Sequence, residues 1–195
     1  MTPSGTGTGA AGGQKRPERL PAGARVVVKV GSSSLTRADG GLDLNRIDIL
    51  AGLIAGMRRR GHDVVLVSSG AVASGLVPLG MSRRPDELSL LQAAASVGQG
   101  RLAARWETAM SAYGLVTAQV LLTAHDVAIR SHYRTVRATF DSLLSLGAVP
   151  IINENDAVAT SEFSLGDNDR LAALVAHLVT ADVLVLLTDV DGLWT

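Results

Sequence analysis

Val149-Pro-Ile-Ile-Asn-Glu-Asn-Asp-Ala-Val-Ala-Thr-Ser-Glu-Phe-Ser-Leu-Gly-Asp-Asn-Asp169 joins an apolar run, two acidic, amide-rich clusters and a helix start. Val149 to Ile152 reads as a short buried strand, with Asn153, Glu154, Asn155 and Asp156 at its carboxyl end. Gly166-Asp-Asn-Asp169 then opens a segment whose Leu171, Leu174, Val175 and Leu178 fall on one helical face. A strand ending in polar groups that face a helix start is a common frame for a small-molecule site. Either cluster alone is more simply a turn plus a helix cap.

Outward from this stretch, strands and helices alternate. Val183 to Leu187 forms a continuous apolar strand followed by Thr188 and Asp189, and it reads as central in a sheet. Upstream, Arg25 to Val30 is a β-branched run interrupted by Lys29 and followed by Gly31-Ser-Ser-Ser34. Asp43 to Arg60 is helical in spacing (Ile47, Leu50, Ile54, Met57), with Asp43 as the cap and Arg58 to Arg60 complementing the helix carboxyl end. Val64 to Val67 is a strand closed by Ser68-Ser-Gly-Ala71. The segment Ser89 to Tyr113 predicts a helix burying Leu91, Ala94, Val97, Leu102, Trp106, Met110 and Tyr113, with Arg101, Arg105 and Glu107 on its solvated face. Gly98 and Gly100 inside it indicate close packing or a local break. Leu115 to Leu122 and Ser131 to Leu146 supply a further strand and helix. Strands apolar on both faces, alternating with helices, predict a three-layer α/β/α fold with a mainly parallel sheet. Pro150 places its strand near an edge, or makes its pairing begin late.

Bulk composition narrows the function. A chain of 195 residues, 47% hydrophobic, suits one cored domain, 24–195, preceded by a flexible Gly/Thr/Pro-rich tail, 1–23. Lys+Arg and Asp+Glu balance at 18 each and aromatics make up 3%, which argues against a nucleic-acid partner. The absence of cysteine excludes disulfides, thiolate metal sites and a cysteine nucleophile. His62, His125, His132 and His177 lack metal-ligand spacing, and no protein metal site is expected. No apolar run spans a bilayer and no secretory leader is visible, so the expected location is cytoplasmic, away from membranes.

In a parallel sheet, ligands gather outside the carboxyl ends of the strands. Four such ends carry polar sets here: Lys29 with Gly31 to Ser34, Ser68 to Ala71, Asn153 to Asp156, and Thr188 with Asp189. Lys29 alone would simply snorkel past a strand end. Together the four ends offer a fixed cation, amides, hydroxyls and carboxylates without a nucleophile triad. Phosphoryl transfer needs such a set, because its catalysis is largely positioning and charge neutralisation.

The segments Val-Lys-Val-Gly-Ser, Val-Ser-Ser-Gly-Ala, Gln-Ala-Ala-Ala-Ser-Val-Gly-Gln, Ile-Asn-Glu-Asn-Asp-Ala-Val-Ala, Gly-Asp-Asn-Asp and Leu-Leu-Thr-Asp resemble those of glutamate 5-kinases in the amino-acid kinase family. The likeness runs from about Arg25 to Thr195. It implies ATP- and Mg²⁺-dependent phosphorylation of the side-chain carboxylate of L-glutamate, the first step of proline synthesis, often inhibited by proline, in an expected homo-oligomer. It further implies that Lys29 contacts the transferring phosphoryl group and Asp169 orients the catalytic lysines. Ser69, Asp156 and Asn168 would hold glutamate, with Gly70 and Ala71 beside them. Gly31, Ser32 and Ser33 would face phosphate, and Thr188 with Asp189 the nucleotide. Thr135 stands where the family usually has Asn. Family members continue past the point equivalent to Thr195 with a glycine-rich, lysine-bearing nucleotide half, and some add a PUA domain. This chain is therefore expected to be the amino-terminal, substrate portion. The alternatives are another carboxylate kinase of this fold, such as acetylglutamate kinase, and a non-catalytic glutamate- or proline-binding module.

Overall fold

The computed structural model describes residues 20–37, 41–158 and 168–187. Five strands, β1 (Arg25–Val30), β2 (Asp63–Ser68), β3 (Thr117–Leu122), β4 (Val149–Glu154) and β5 (Val183–Leu187), form one sheet in the order β3-β4-β2-β1-β5. Every ladder is parallel. The crossovers are α1 (Ser32–Leu35) and α2 (Leu44–Arg59), α3 (Ala71–Leu76) and α4 (Leu88–Ser111), α5 (Ala124–Ala128) and α6 (Arg130–Ser145), and α7 (Asn168–Leu178). Among the described residues no helix is long and apolar enough to cross a membrane.

The two-residue period of the strands sorts the side chains into two cores. Val26, Val28 and Val30 face one way, with Val64, Leu66 and Ile151, under Ile47 and Ile54 of α2 and Leu102, Trp106 and Met110 of α4. Val27, Val65, Val67 and Ile152 face the other, under Phe140 and Leu144 of α6 and Leu171, Val175 and Leu178 of α7. Lys29 has the parity of Val27, so it rises on the α7 side of the sheet. The expected three-layer fold is the one observed.

Local signals explain the helix limits. Asp43 caps α2, its carboxylate accepting from the Arg46 amide at 3.1 Å. At the other end Arg58 donates to the His62 carbonyl at 2.9 Å and the Asp63 carboxylate at 2.8 Å, joining α2 to β2. Pro150 does not force β4 to an edge. β4 lies between β3 and β2, but its register with β2 begins only at Ile151, past the missing N–H.

Three expectations fail. Val97 and Tyr113 are 39% and 46% exposed. Gly98, not Val97, lies on the stripe running from Ala94 to Leu102, and α4 ends at Ser111, before Tyr113. Arg105 is not simply solvated. It pairs with Asp48 and donates to the Leu44 carbonyl at 3.2 Å, tying α4 to α2. β5 is not central among the described strands. It pairs with β1 alone, and Leu186 is 44% exposed.

Gly98 acts by close approach. A Cβ there would lie 1.8 Å from the Ala71 carbonyl oxygen, and one on Gly75 would lie 1.9 Å from that of Ala94. The backbones of α3 and α4 therefore touch, whereas a Cβ on Gly100 would meet nothing. This contact fixes the start of α3, where the β2 end turns.

Candidate functional site

The strand order makes β4, β2 and β1 neighbours, so three of the four expected polar ends converge. The fourth, Thr188 with Asp189, lies outside the described residues. Asn153 is next to last in β4, Ser69 follows β2 and Lys29 is near the end of β1; all three are buried. The Ser69 amide donates to the Val30 carbonyl at 3.0 Å, holding the β1 and β2 ends together. Gly70 turns the chain into α3 with φ +107°, a left-handed conformation that side-chain-bearing residues rarely adopt.

Across these ends sits the start of α7. Lys29 Nζ meets Asp169 Oδ1 at 2.5 Å, with the lysine side chain 11% and the aspartate 54% exposed. A carboxylate anchors the ammonium while one side of the pair stays open to solvent. Gly31 leaves space beside the lysine head, since a Cβ there would stand 3.3 Å from Nζ. Beyond Gly31 the serines wind into α1, where the Ser34 amide donates to the Gly31 carbonyl at 3.2 Å and that of Gly31 to the Leu187 carbonyl at 3.4 Å.

Beside the ion pair lies a cavity of about 140 Å³, lined by Ser32, Ser69, Gly70, Ala71, Asn153, Asp156 and Asn168 among others. That is below the roughly 300 Å³ at which drug-sized sites begin, and suits a small metabolite. Asn168 Nδ2 donates to Ser69 Oγ at 2.7 Å and to Asn153 Oδ1 at 3.0 Å. Asn153 Nδ2 donates to Gln99 Oε1 at 2.7 Å. Two buried acceptors at this cavity, Asp156 Oδ1 and Asn168 Oδ1, have no hydrogen-bond partner. Burial pushes the Asp156 carboxyl up to about 6, against the pull of the Arg84 guanidinium. Such a pair of acceptors suits a donor-rich cationic head.

Of the expected residues, the structure thus brings Ser32, Ser69, Gly70, Ala71, Asp156 and Asn168 to one cavity, with Lys29, Gly31 and Asp169 beside it. Ser33 does not line the cavity; its Oγ lies beside Gly31, 3.8 Å from where a Cβ there would stand, and its carbonyl accepts from Arg46 at 3.3 Å. Thr135 lies mid-helix in α6, bonding back to the Ser131 carbonyl, and lines a separate surface groove. Sequence reasoning missed Arg84, the one cation among the described lining residues. Arg83-Arg84-Pro85 sits in an aperiodic polar connection, where a charge reads as solvated. It also assigned no role to Gln99, the last residue of the glutamine-bounded segment, which a hydrophobic-period reading passes over.

Residues 24–195 match the amino acid kinase family. Curated relatives include glutamate 5-kinases of Streptomyces coelicolor, 61% identical over 170 residues (87% of this chain, 46% of the relative), and Salinispora arenicola, 58% identical over 178 residues (91% and 48%). The chain thus spans about half the length of these relatives. A solved carbamate kinase from Giardia has the same fold, with a TM-score of 0.59 at 18% identity, covering 87% of this chain and 75% of the other.

Proposed function

Since the chain belongs to the amino acid kinase family, we propose that it supplies the substrate-binding part of a glutamate 5-kinase, which phosphorylates the side-chain carboxylate of L-glutamate to give L-glutamyl 5-phosphate. The single observation that carries this reading is the juxtaposition of two unpaired buried acceptors, Asp156 Oδ1 and Asn168 Oδ1, with the Lys29–Asp169 pair at the next strand end. The acceptors suit the α-ammonium group of a free amino acid. Arg84 on the same cavity suits its α-carboxylate, which directs the side-chain carboxylate toward Lys29.

ATP with Mg²⁺ would supply the phosphoryl group and offset part of its charge. Lys29 and the space at Gly31 fit that group, and Thr188 and Asp189 are the proposed nucleotide contacts. No general base is needed, because a free glutamate side chain, with pKa about 4.3, is already ionised at neutral pH. A carboxylate oxygen forms the new bond to phosphorus as the bond to the ADP oxygen breaks. The barrier left to lower is repulsion between two anions, and Lys29, held by Asp169, is placed to reduce it.

An N-acetylated substrate has no ammonium group for Asp156, which disfavours the acetylglutamate kinase alternative. The test is full-length protein incubated with ATP, L-glutamate and hydroxylamine. Glutamyl hydroxamate is expected from glutamate and not from N-acetylglutamate. Hydroxamate no higher than in a Lys29→Ala control would overturn the reading.

A further inference from the structure

Four polar side chains form one directed chain across the carboxyl edge of the sheet. Gln99 of α4 accepts from Asn153 Nδ2, and Asn153 Oδ1 accepts from Asn168 Nδ2. Asn168 Nδ2 also donates to Ser69 Oγ. A backbone donor fixes the sense, because the Glu154 amide donates to Asn153 Oδ1 at 2.9 Å. Turning the Asn153 amide over would set its NH₂ against that N–H and against Asn168 Nδ2, and set its oxygen against Gln99 Oε1. With both donor bonds of Asn168 in use, Oδ1 is the atom left unpaired at the cavity.

We propose that Gln99 is a positioning residue that holds the Asn153 amide in the sense set by the Glu154 N–H, and through it that of Asn168, so that the cavity presents acceptors and not donors to its ligand. Gln99 is not among the residues lining the cavity of about 140 Å³. It stands on the wall of the neighbouring cavity of about 280 Å³, with Gln119 and Glu154, while Asp156 borders both. Its own place is set one residue earlier, where Gly98 meets the Ala71 backbone. Helical packing on one face of the sheet thereby determines which atom of an α7 side chain faces the substrate. An acceptor pair selects a cationic amine over a neutral or acylated one, so the lock bears on specificity as well as affinity. The inference rests on the proposed function only for the identity of the ligand.

The test compares full-length native protein with Gln99→Met, similar in size but without the acceptor oxygen, and Gln99→Glu, which retains an acceptor. Losing a partner of a buried amide donor is expected to raise KM for glutamate about tenfold in Gln99→Met. KM for ATP should stay within about twofold, and Gln99→Glu should recover most of the loss. Proton exchange of the Asn153 and Asn168 side-chain amides, followed by NMR, reads the lock without any ligand. It should be slow in native protein and in Gln99→Glu, and fast in Gln99→Met. An unchanged KM for glutamate, an equal rise in both KM values, a Gln99→Glu as impaired as Gln99→Met, or amide exchange indifferent to Gln99→Met would each overturn the lock. If the native protein fails to phosphorylate glutamate, the proposed function falls while the exchange measurement still decides the lock.

Discussion

Asp156 is 8% exposed and its carboxyl titrates near 6. Desolvation, the larger cause, destabilises the anion, and Arg84 partly restores it. The folded pKa lies above the ordinary 3.8, so the fold binds this proton more tightly than the unfolded chain does. Stability is therefore full below about pH 4 and falls as pH rises to about 6. At pH 7.5, Asp156→Asn should stabilise the ligand-free protein, by on the order of 1–3 kcal/mol in urea titration, while sharply weakening glutamate binding. In the native protein, glutamate affinity should rise as pH passes from 5 to 7 and the carboxylate forms, and calorimetry at several pH values should find this dependence absent in Asp156→Asn. Removing the cation in Arg84→Ala should move the midpoint of that profile upward and raise KM for glutamate about tenfold, leaving KM for ATP within about twofold. A profile that stays in place would remove Arg84 from the site.

The informative elements are α3 and α4, whose glycines let two backbones touch. An added methyl at Gly98 or Gly75 collides with a main-chain carbonyl that has no rotamer by which to escape. Gly98→Ala and Gly75→Ala should each cost about 3 kcal/mol or more, measured by chemical denaturation, and displace Ala71 at the cavity. Gly100→Ala, in the same helix with open space around it, should be neutral or stabilise by up to about 1 kcal/mol. Equal losses at Gly98 and Gly100 would mean that helix propensity, not backbone contact, governs α4. The helix propensity of the sequence cannot separate these two glycines, because their difference is made by a partner helix.

Across the whole molecule, β1 carries both cores, and its end supplies Lys29. Val27 is fully buried on the α7 side and Val26 on the α4 side. Val27→Ala and Val26→Ala are each expected to cost about 2–3 kcal/mol in urea titration, because neither core can collapse around the loss without moving the shared strand. Trp106 couples one core to the site by donating to Ser68 Oγ at 2.9 Å, one residue before Ser69. The layered α/β fold, the Asp43 cap and the converging polar strand ends were legible in the sequence, because period-two runs, capping residues and polar strand termini are local patterns. So were Lys29, Ser69, Asp156, Asn168 and Asp169 as candidates, through the motifs that contain them. Three matters waited for the tertiary structure: which strands are neighbours, which glycine lies at a helix crossing, and that Arg84 lines the cavity while Gln99 bonds Asn153 behind it. Each depends on contacts between segments far apart in the chain, and local pattern carries no record of distance between them.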